Sequence, residues 1–413
     1  MNTPYYRKYS ELLIITTTLL FVFYFNSNAQ EYWAATNGPY DGTVYALVTA
    51  QNNNLLAGTA YGGVYVSSDN GISWLPSNSG MSGTAVTCLT LNSTGTIFAG
   101  TQSGIFRSSD NGNSWTQINS GLKSTQIKCL SVNSSGHIFA GTDGSGVFRS
   151  TNNGNNWAQI NSGLTTLEVY SLGTKTGGVV FAGTWGAGMF RSTDNGDSWT
   201  SVNTNMTNPL IWSIFVKNTG EVFAGTYGGG VYRSEDNGGA WSEINQELTN
   251  LIVYCFAVNS YGEIFIGTEG GGVFHSTDNG NYWEQLDSGL TDKRVWSLTI
   301  KPNGFIYAGS QGSGVFKSIL STPVECLKGV NFNLGQNYPN PFSVTTSITC
   351  KSPFDLINAE LIICDVLGNT IKKYLIDGDN IIVSLEDLNS GIYKYYIRSN
   401  GVTSEIRTMC FIK

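Results

Sequence analysis

The chain has 413 residues, 50 of them Gly, and only 12% are Asp, Glu, Lys or Arg. That is about half the charge of an ordinary soluble domain, and it suits many short strands joined by tight turns in a chain long enough for two domains. A net charge of −7 with no basic stripe excludes a phosphate-neutralising surface, and with it a nucleic-acid partner.

Residues 1–29 read as a signal peptide. Arg7 and Lys8 give a positive start, residues 12–25 are mostly apolar, and Asn28-Ala29-Gln30 supplies a small residue at a cleavage point. The apolar run is shorter than the about 20 residues that span a bilayer, so cleavage is expected rather than anchoring.

Residues 30–318 are a repeat. The block Ser67-Ser68-Asp69-Asn70-Gly71-Ile72-Ser73-Trp74 recurs, ending at Trp115, Trp157, Trp199, Trp241 and Trp283, in steps of 41 or 42 residues. Each copy carries four short apolar runs separated by Gly- and Asn-rich turns, the size of one propeller blade. First strands start at Val44, Val86, Ile127, Val169, Ile211, Val253 and Val295, which makes seven. The seventh copy ends at Ser318 without its Trp strand. A Trp strand with nothing before it begins at Glu31, and Trp33 lies 41 residues before Trp74, in register. The expected fold is therefore all-β: a seven-bladed β-propeller whose N-terminal strand completes the last blade and covers the open sheet edges.

The repeated Ser/Thr-x-Asp-x-Gly-x-x-Trp resembles the Asp-box, or BNR repeat. It occurs in sialidases, xyloglucan-cleaving glycosidases, sortilin-type receptors and photosystem II assembly-factor propellers. In those families the box is a folding element at the turn between strands three and four. The resemblance implies that Asp69, Asp110, Asn152 (which replaces Asp in the third copy), Asp194, Asp236 and Asp278 are structural. The residue types agree, since Ser and Asp oxygens cap the N–H groups of a tight turn.

After a linker at 319–331, residues 332–413 alternate as short strands: 346–350, 359–365, 370–376, 381–385, 391–398 and 405–412. They read as a small immunoglobulin-like β-sandwich. Gln336-Asn337-Tyr338-Pro339-Asn340-Pro341-Phe342, Asp365 with Gly368, Leu388-Asn389-Ser390-Gly391-Ile392-Tyr393 and the close from Met409 to Lys413 resemble the C-terminal sorting domain of type IX secretion cargo. The resemblance implies partnership with the type IX machinery, and release or attachment at the outer surface of the outer membrane. Cys350 and Cys364 stand where relatives have aromatics, which raises a disulfide between neighbouring strands. Cys88, Cys129 and Cys255 share one repeat position, read as buried packing.

Ligands of propellers gather where the loops between strands two and three meet those between strands four and one. The variable residues there include Asp143, Trp185, Tyr227 and Glu269 after strand two, and Arg294 before a first strand. Flat aromatic faces and a few polar groups suit a sugar or a peptide. The next positions, Tyr170, Trp212, Tyr254 and Trp296, are expected to share the strand face of Leu172, Ile214, Phe256 and Leu298 and to pack between blades. Trp185 and Tyr227, flanked by glycines, are the exposed candidates. Asp143 and Glu269 are an alternative acid and base for a glycoside hydrolase. A sialidase needs three arginines on its substrate. Arg107, Arg149, Arg191 and Arg233 fill one repeated position, which leaves Arg294 as the spare one in the propeller. The functional expectation is a monomeric, extracellular, non-catalytic binding or scaffold propeller with a glycan or protein ligand and with no cofactor or metal. The hydrolase and a protein-assembly factor are the alternatives.

Overall fold

The computed structural model describes residues 31–82, 85–217, 219–319, 333–351, 360–365, 370–376, 380–399, 402–403 and 407–413. The expected signal peptide, the expected linker beyond Ile319 with its Cys326, and the turn at Gly368 lie outside the described residues. Between Trp33 and Ser318 the chain folds into seven four-stranded antiparallel sheets. We number these blades one to seven by the order of their inner strands.

Blade four shows why the repeat folds as it does. Its strands are Val169–Thr174, Val180–Thr184, Met189–Ser192 and Thr200–Ser201. The second strand is buried at every position because both its faces lie against neighbouring blades. That burial accounts for an unbroken apolar run where a half-exposed strand would alternate. Gly183 is required by close approach: a Cβ there would sit 2.3 Å from Ser171 Oγ and 2.5 Å from Ile211 Cγ2 of the next inner strand. The Thr that follows turns the chain, with Thr184 Oγ1 donating to Gly188 O at 2.7 Å.

The Asp-box is the next turn. Ser192 Oγ donates to Asp194 Oδ1 at 2.7 Å and accepts from Gly196 N at 2.7 Å. Asp194 accepts from Ser198 N at 2.9 Å, and Asn195 takes a left-handed φ of 60°. Hydrogen bonds from Ser198 and Ser192 hold the Asp194 carboxyl down at about 2, and Ser73 and Ser67 do the same for Asp69. Asn152 makes the same acceptor contacts, from Ser150 Oγ at 3.0 Å and Asn156 N at 2.9 Å. The box Trp reaches back one blade: Trp199 Nε1 donates to Ile160 O at 2.8 Å. The repeated arginine reaches forward one blade, Arg191 Nη1 donating to Asn237 O at 2.8 Å.

The ring closes through its N-terminal strand. Trp33–Ala35 pairs antiparallel with Val315–Ser318, Trp33 opposite Ser318 and Ala35 opposite Phe316. Trp33 Nε1 donates to Leu286 O at 2.7 Å, the same kind of bond that Trp115, Trp157, Trp199, Trp241 and Trp283 make to a backbone carbonyl of the blade before. Thr36 then accepts from Trp74 Nε1 at 3.2 Å, carrying the pattern into blade one. The inner strand Val44–Thr49 lies against both Val86–Leu91 and Val295–Ile300, so no blade is terminal.

One expectation about the inner strands is corrected. Each carries a bulge between its first and third residues, between Val169 and Ser171 in blade four. Val169 pairs with Thr184 and Leu172 with Ala182, so Val169 and Leu172 share a face although three residues apart. The extra residue is Tyr170, and its equivalents are Trp212, Tyr254 and Trp296. They do not share the face of Leu172 and its counterparts. A bulge re-aims the side chain of the residue it inserts.

The C-terminal residues form two facing sheets. One contains Asn333–Leu334, Thr345–Lys351 and Asn380–Ser384. The other contains Glu360–Cys364, Thr370–Leu375, Gly391–Ser399, Val402–Thr403 and Arg407–Phe411. Leu334, Ile348 and Val383 of the first meet Ile363, Tyr395 and Phe411 of the second in one core. Asn337 of the Asn-Tyr-Pro-Asn-Pro-Phe run is 2% exposed and joins the sheets. Its N–H donates to Tyr395 Oη at 2.8 Å and its Nδ2 to Thr346 Oγ1 at 3.0 Å. The expectation that Cys350 and Cys364 stand on neighbouring strands is corrected. Cys350 pairs with Leu334 in one sheet, whereas Cys364 pairs with Lys394 in the other and is a free thiol.

Candidate functional site

At one end of the ring, in six of the seven blades, the residue after the second strand is tied beside the start of the inner strand. Trp185 N donates to Glu168 O at 3.0 Å, Tyr227 N to Leu210 O at 2.9 Å, and Glu269 N to Ile252 O at 3.1 Å. Each of the three also bridges to the next blade: Trp185 to Leu210, Tyr227 to Ile252 and Glu269 to Arg294. The variable positions therefore converge on a common mouth.

The bulge residues fill that mouth. Tyr170 stacks on Trp185 with centroids 5.2 Å apart, and Trp185 meets Tyr227 edge-on at 5.4 Å. Trp212 contacts Tyr254 at 5.2 Å, Tyr254 stacks on Trp296 at 4.1 Å, and Trp296 meets Tyr45 at 5.2 Å. Trp212 also reaches Trp296 at 5.8 Å, from blade five past blade six to blade seven, which places these two rings in the central channel. Trp185 is half-buried, and Tyr227 is the most open member at 40% exposure.

The opposite wall is polar. Thr87 Oγ1 donates to Ile127 O at 2.6 Å. Lys128 pairs with Asp143 at 3.1 Å, and its ammonium lies 5.0 Å over the Tyr170 ring. Asp143 is thus engaged by a cation from its own blade. Glu269 sits beside Tyr254; burial first, and then this carboxylate, hold the Tyr254 hydroxyl far above its ordinary range. On the aromatic side, two buried polar atoms, Glu269 Oε2 and Trp296 Nε1, have no hydrogen-bond partner in the protein. Asp143 and Glu269 open on the same mouth, but each has its own neighbour, Lys128 for one and Tyr254 for the other.

Arg294 is exposed at the rim and held from behind. Its Nε lies 3.1 Å from Asp292 Oδ1, and Asp292 is 8% exposed. Asp292 also accepts from Arg294 N at 3.1 Å and Gly312 N at 2.9 Å. Sequence reasoning missed Asp292, although its signal was present. Asn208, Asn250 and Asp292 recur at steps of 42 residues. The first two cap the same turn, Leu210 N donating to Asn208 Oδ1 at 2.9 Å and Ile252 N to Asn250 Oδ1 at 3.1 Å. Among the described residues no group of three or more His, Cys, Asp or Glu is placed to hold a metal. Among them, too, no helix is long and apolar enough to cross a membrane.

Residues 336–410 match the family described as the secretion system C-terminal sorting domain. No curated protein matches the chain. Among solved structures, the extracellular domain of the hybrid two-component system BT3049 from B. thetaiotaomicron is similar at TM-score 0.62 and 17% identity. The alignment covers 93% of this chain and 57% of that one. PorZ, a surface component of the type-IX secretion system of Porphyromonas gingivalis, is similar at TM-score 0.56 and 15% identity, over 92% of this chain and 61% of that one. The chain thus spans less than two thirds of either. YCF48 from Cyanidioschyzon merolae matches at TM-score 0.56 and 17% identity, over 70% of this chain and 98% of that one. At these identities the likeness is one of fold. The chain is a β-propeller of seven four-stranded blades followed by a segment that matches the secretion-system C-terminal sorting domain, the address for export to the cell surface.

Proposed function

We propose that the exported propeller is a non-catalytic binding module that takes a glycan or protein ligand at its aromatic mouth. The observation that carries this is the contiguous wall of rings from Tyr170 and Trp185 to Trp296, with Trp185 and Tyr227 at its open side. Aromatic faces with a small number of placed polar groups are the composition of a recognition site. Two supports favour binding over hydrolysis. Asp143 is committed to Lys128, and the rings of Trp212 and Trp296 occupy the central channel. A glycosidase keeps its two carboxylates flanking an open cleft.

The Asp-box residues Asp69, Asp110, Asn152, Asp194, Asp236 and Asp278 belong on this reading to the scaffold. Each accepts a hydrogen bond from the Ser two positions before it, inside its own turn. A ligand of protein type has a precedent of fold in the YCF48 structure described as bound to a D1 peptide, at TM-score 0.58 and 14% identity.

A glycan and peptide array on the mature protein tests the proposal. Saturable binding without turnover, weakened by Trp185→Ala, is expected. New reducing ends from a polysaccharide, lost in Asp143→Asn and Glu269→Gln, would replace it with the hydrolase.

A further inference from the structure

Building on that mouth, we infer that its ligand is a neutral sugar, with hydroxyls read by Glu269 and Arg294 and a pyranose face laid on Tyr227. Glu269 and Arg294 are bridge partners across blades six and seven, so an acceptor and a donor leave adjacent backbone positions. Arg294 is already oriented: buried Asp292 takes its Nε at 3.1 Å and its Nη2 at 3.5 Å. A guanidinium has five N–H donors, so this pair leaves others free on a side chain that is 45% exposed.

The charges select the ligand. Glu269 and Asp292 are two carboxylates against one guanidinium, which disfavours an anionic group. An ammonium is disfavoured by comparison between blades. In blade three, Lys128 lies over Tyr170 of the next blade and pairs with Asp143. In blade six the matching positions are Tyr254, Trp296 and Glu269. Tyr254 occupies the place of the lysine, stacked on Trp296 at 4.1 Å and beside Glu269. The seat of the cation is taken by a phenol.

What the wall lacks is a partner for one acceptor and one donor, Glu269 Oε2 and Trp296 Nε1. A hydroxyl donates and accepts at once; an ammonium only donates, and a carboxylate only accepts. A ring bearing several hydroxyls serves Glu269, Arg294 and the indole together, and its C–H face suits the exposed phenol of Tyr227. In the unliganded ring the two orphan atoms are sealed from water, so entry displaces neighbouring rings and changes indole emission.

The test titrates the whole mature chain with cello-, xylo- and manno-hexaose, an oligogalacturonate and a lysine-rich peptide, followed by tryptophan fluorescence. At least one neutral hexaose is expected to give a saturable change. Its Kd should rise at least tenfold in Glu269→Gln and in Arg294→Met, the loss of one charge-assisted hydrogen bond. Asp292 acts through Arg294, so Asp292→Asn should weaken binding in the native background and add nothing in Arg294→Met. Neutral binding that survives both Glu269→Gln and Arg294→Met overturns the inference. Response to the oligogalacturonate or the peptide alone, lost in Trp185→Ala, overturns the sugar and keeps the mouth. Silence toward every probe removes both.

Discussion

Replacing Trp33 by Ala tests whether the ring is held shut by its first strand. Trp33 is fully buried, lies opposite Ser318, and donates its indole N–H to Leu286 O at 2.7 Å. Truncating a buried Trp costs about 3–5 kcal/mol, and the carbonyl left without its donor adds to this, for a total of about 5 kcal/mol. At about 2 °C per kcal/mol for a domain of this size, Tm should fall by about 10 °C. The internal control is Trp157→Ala. Trp157 is 5% exposed and makes the same bond, to Ile118 O at 2.8 Å, within a continuous stretch of chain. Urea unfolding followed by far-UV circular dichroism gives both losses. If the closure bears the same load as an ordinary blade junction, the two agree within about 2 kcal/mol, the spread that one truncation shows between buried sites. A loss below about 1 kcal/mol for Trp33→Ala, beside several for Trp157→Ala, would refute the closure.

Three further outcomes follow from the repeat. Asp69 and Asp194 are held near 2 against an ordinary 3.8, so their stabilisation is complete above about pH 5 and is lost as pH falls through 3.8 toward 2. Asp194→Asn should flatten that acid limb in a Tm-against-pH series, and an unchanged slope would count against the hydrogen-bonded turn. Gly163 has a φ of +93° and an added Cβ would stand 2.1 Å from Trp199 O, so Gly163→Ala should cost about 2 kcal/mol or more in urea unfolding. Burial pushes the thiols of Cys88 and Cys255 up to about 12, so neither should react with a disulfide reagent at pH 8 until the chain is unfolded. Both residues are partly buried, and rapid labelling of the native protein at either would contradict the desolvation of its thiol.

The repeat was legible because each blade has the same needs. Gly183 and its counterparts are present because the next inner strand lies against them, and Ser192 with Asp194 because one turn needs acceptors. Such local demands recur at a fixed step and leave a pattern. The in-register spacing of Trp33 gave the closure for the same reason. The mouth was less legible. Trp185, Tyr227, Glu269 and Arg294 were singled out by their variability, but the rings of Tyr170, Trp212, Tyr254 and Trp296 were assigned to the wrong face. Strict alternation puts Tyr170 with Leu172, and one bulge, invisible in residue type, moves it to the axis. Asp292 escaped because its recurrence with Asn208 and Asn250 lies in loops, where the repeat is weakest.

The sequence by itself determined the blade, its copy number and the sorting tail, since each depends on contacts within about one repeat length or on a local motif, and the meeting of the ends, since the first strand continues the same register as the repeat. Only the tertiary structure decided which rings meet in the central channel, that Lys128 claims Asp143, that Asp292 holds Arg294, and that Cys350 and Cys364 belong to different sheets. Those outcomes depend on how strands are bulged and on which blades face one another. Neither is encoded in the order of apolar and polar residues along one strand.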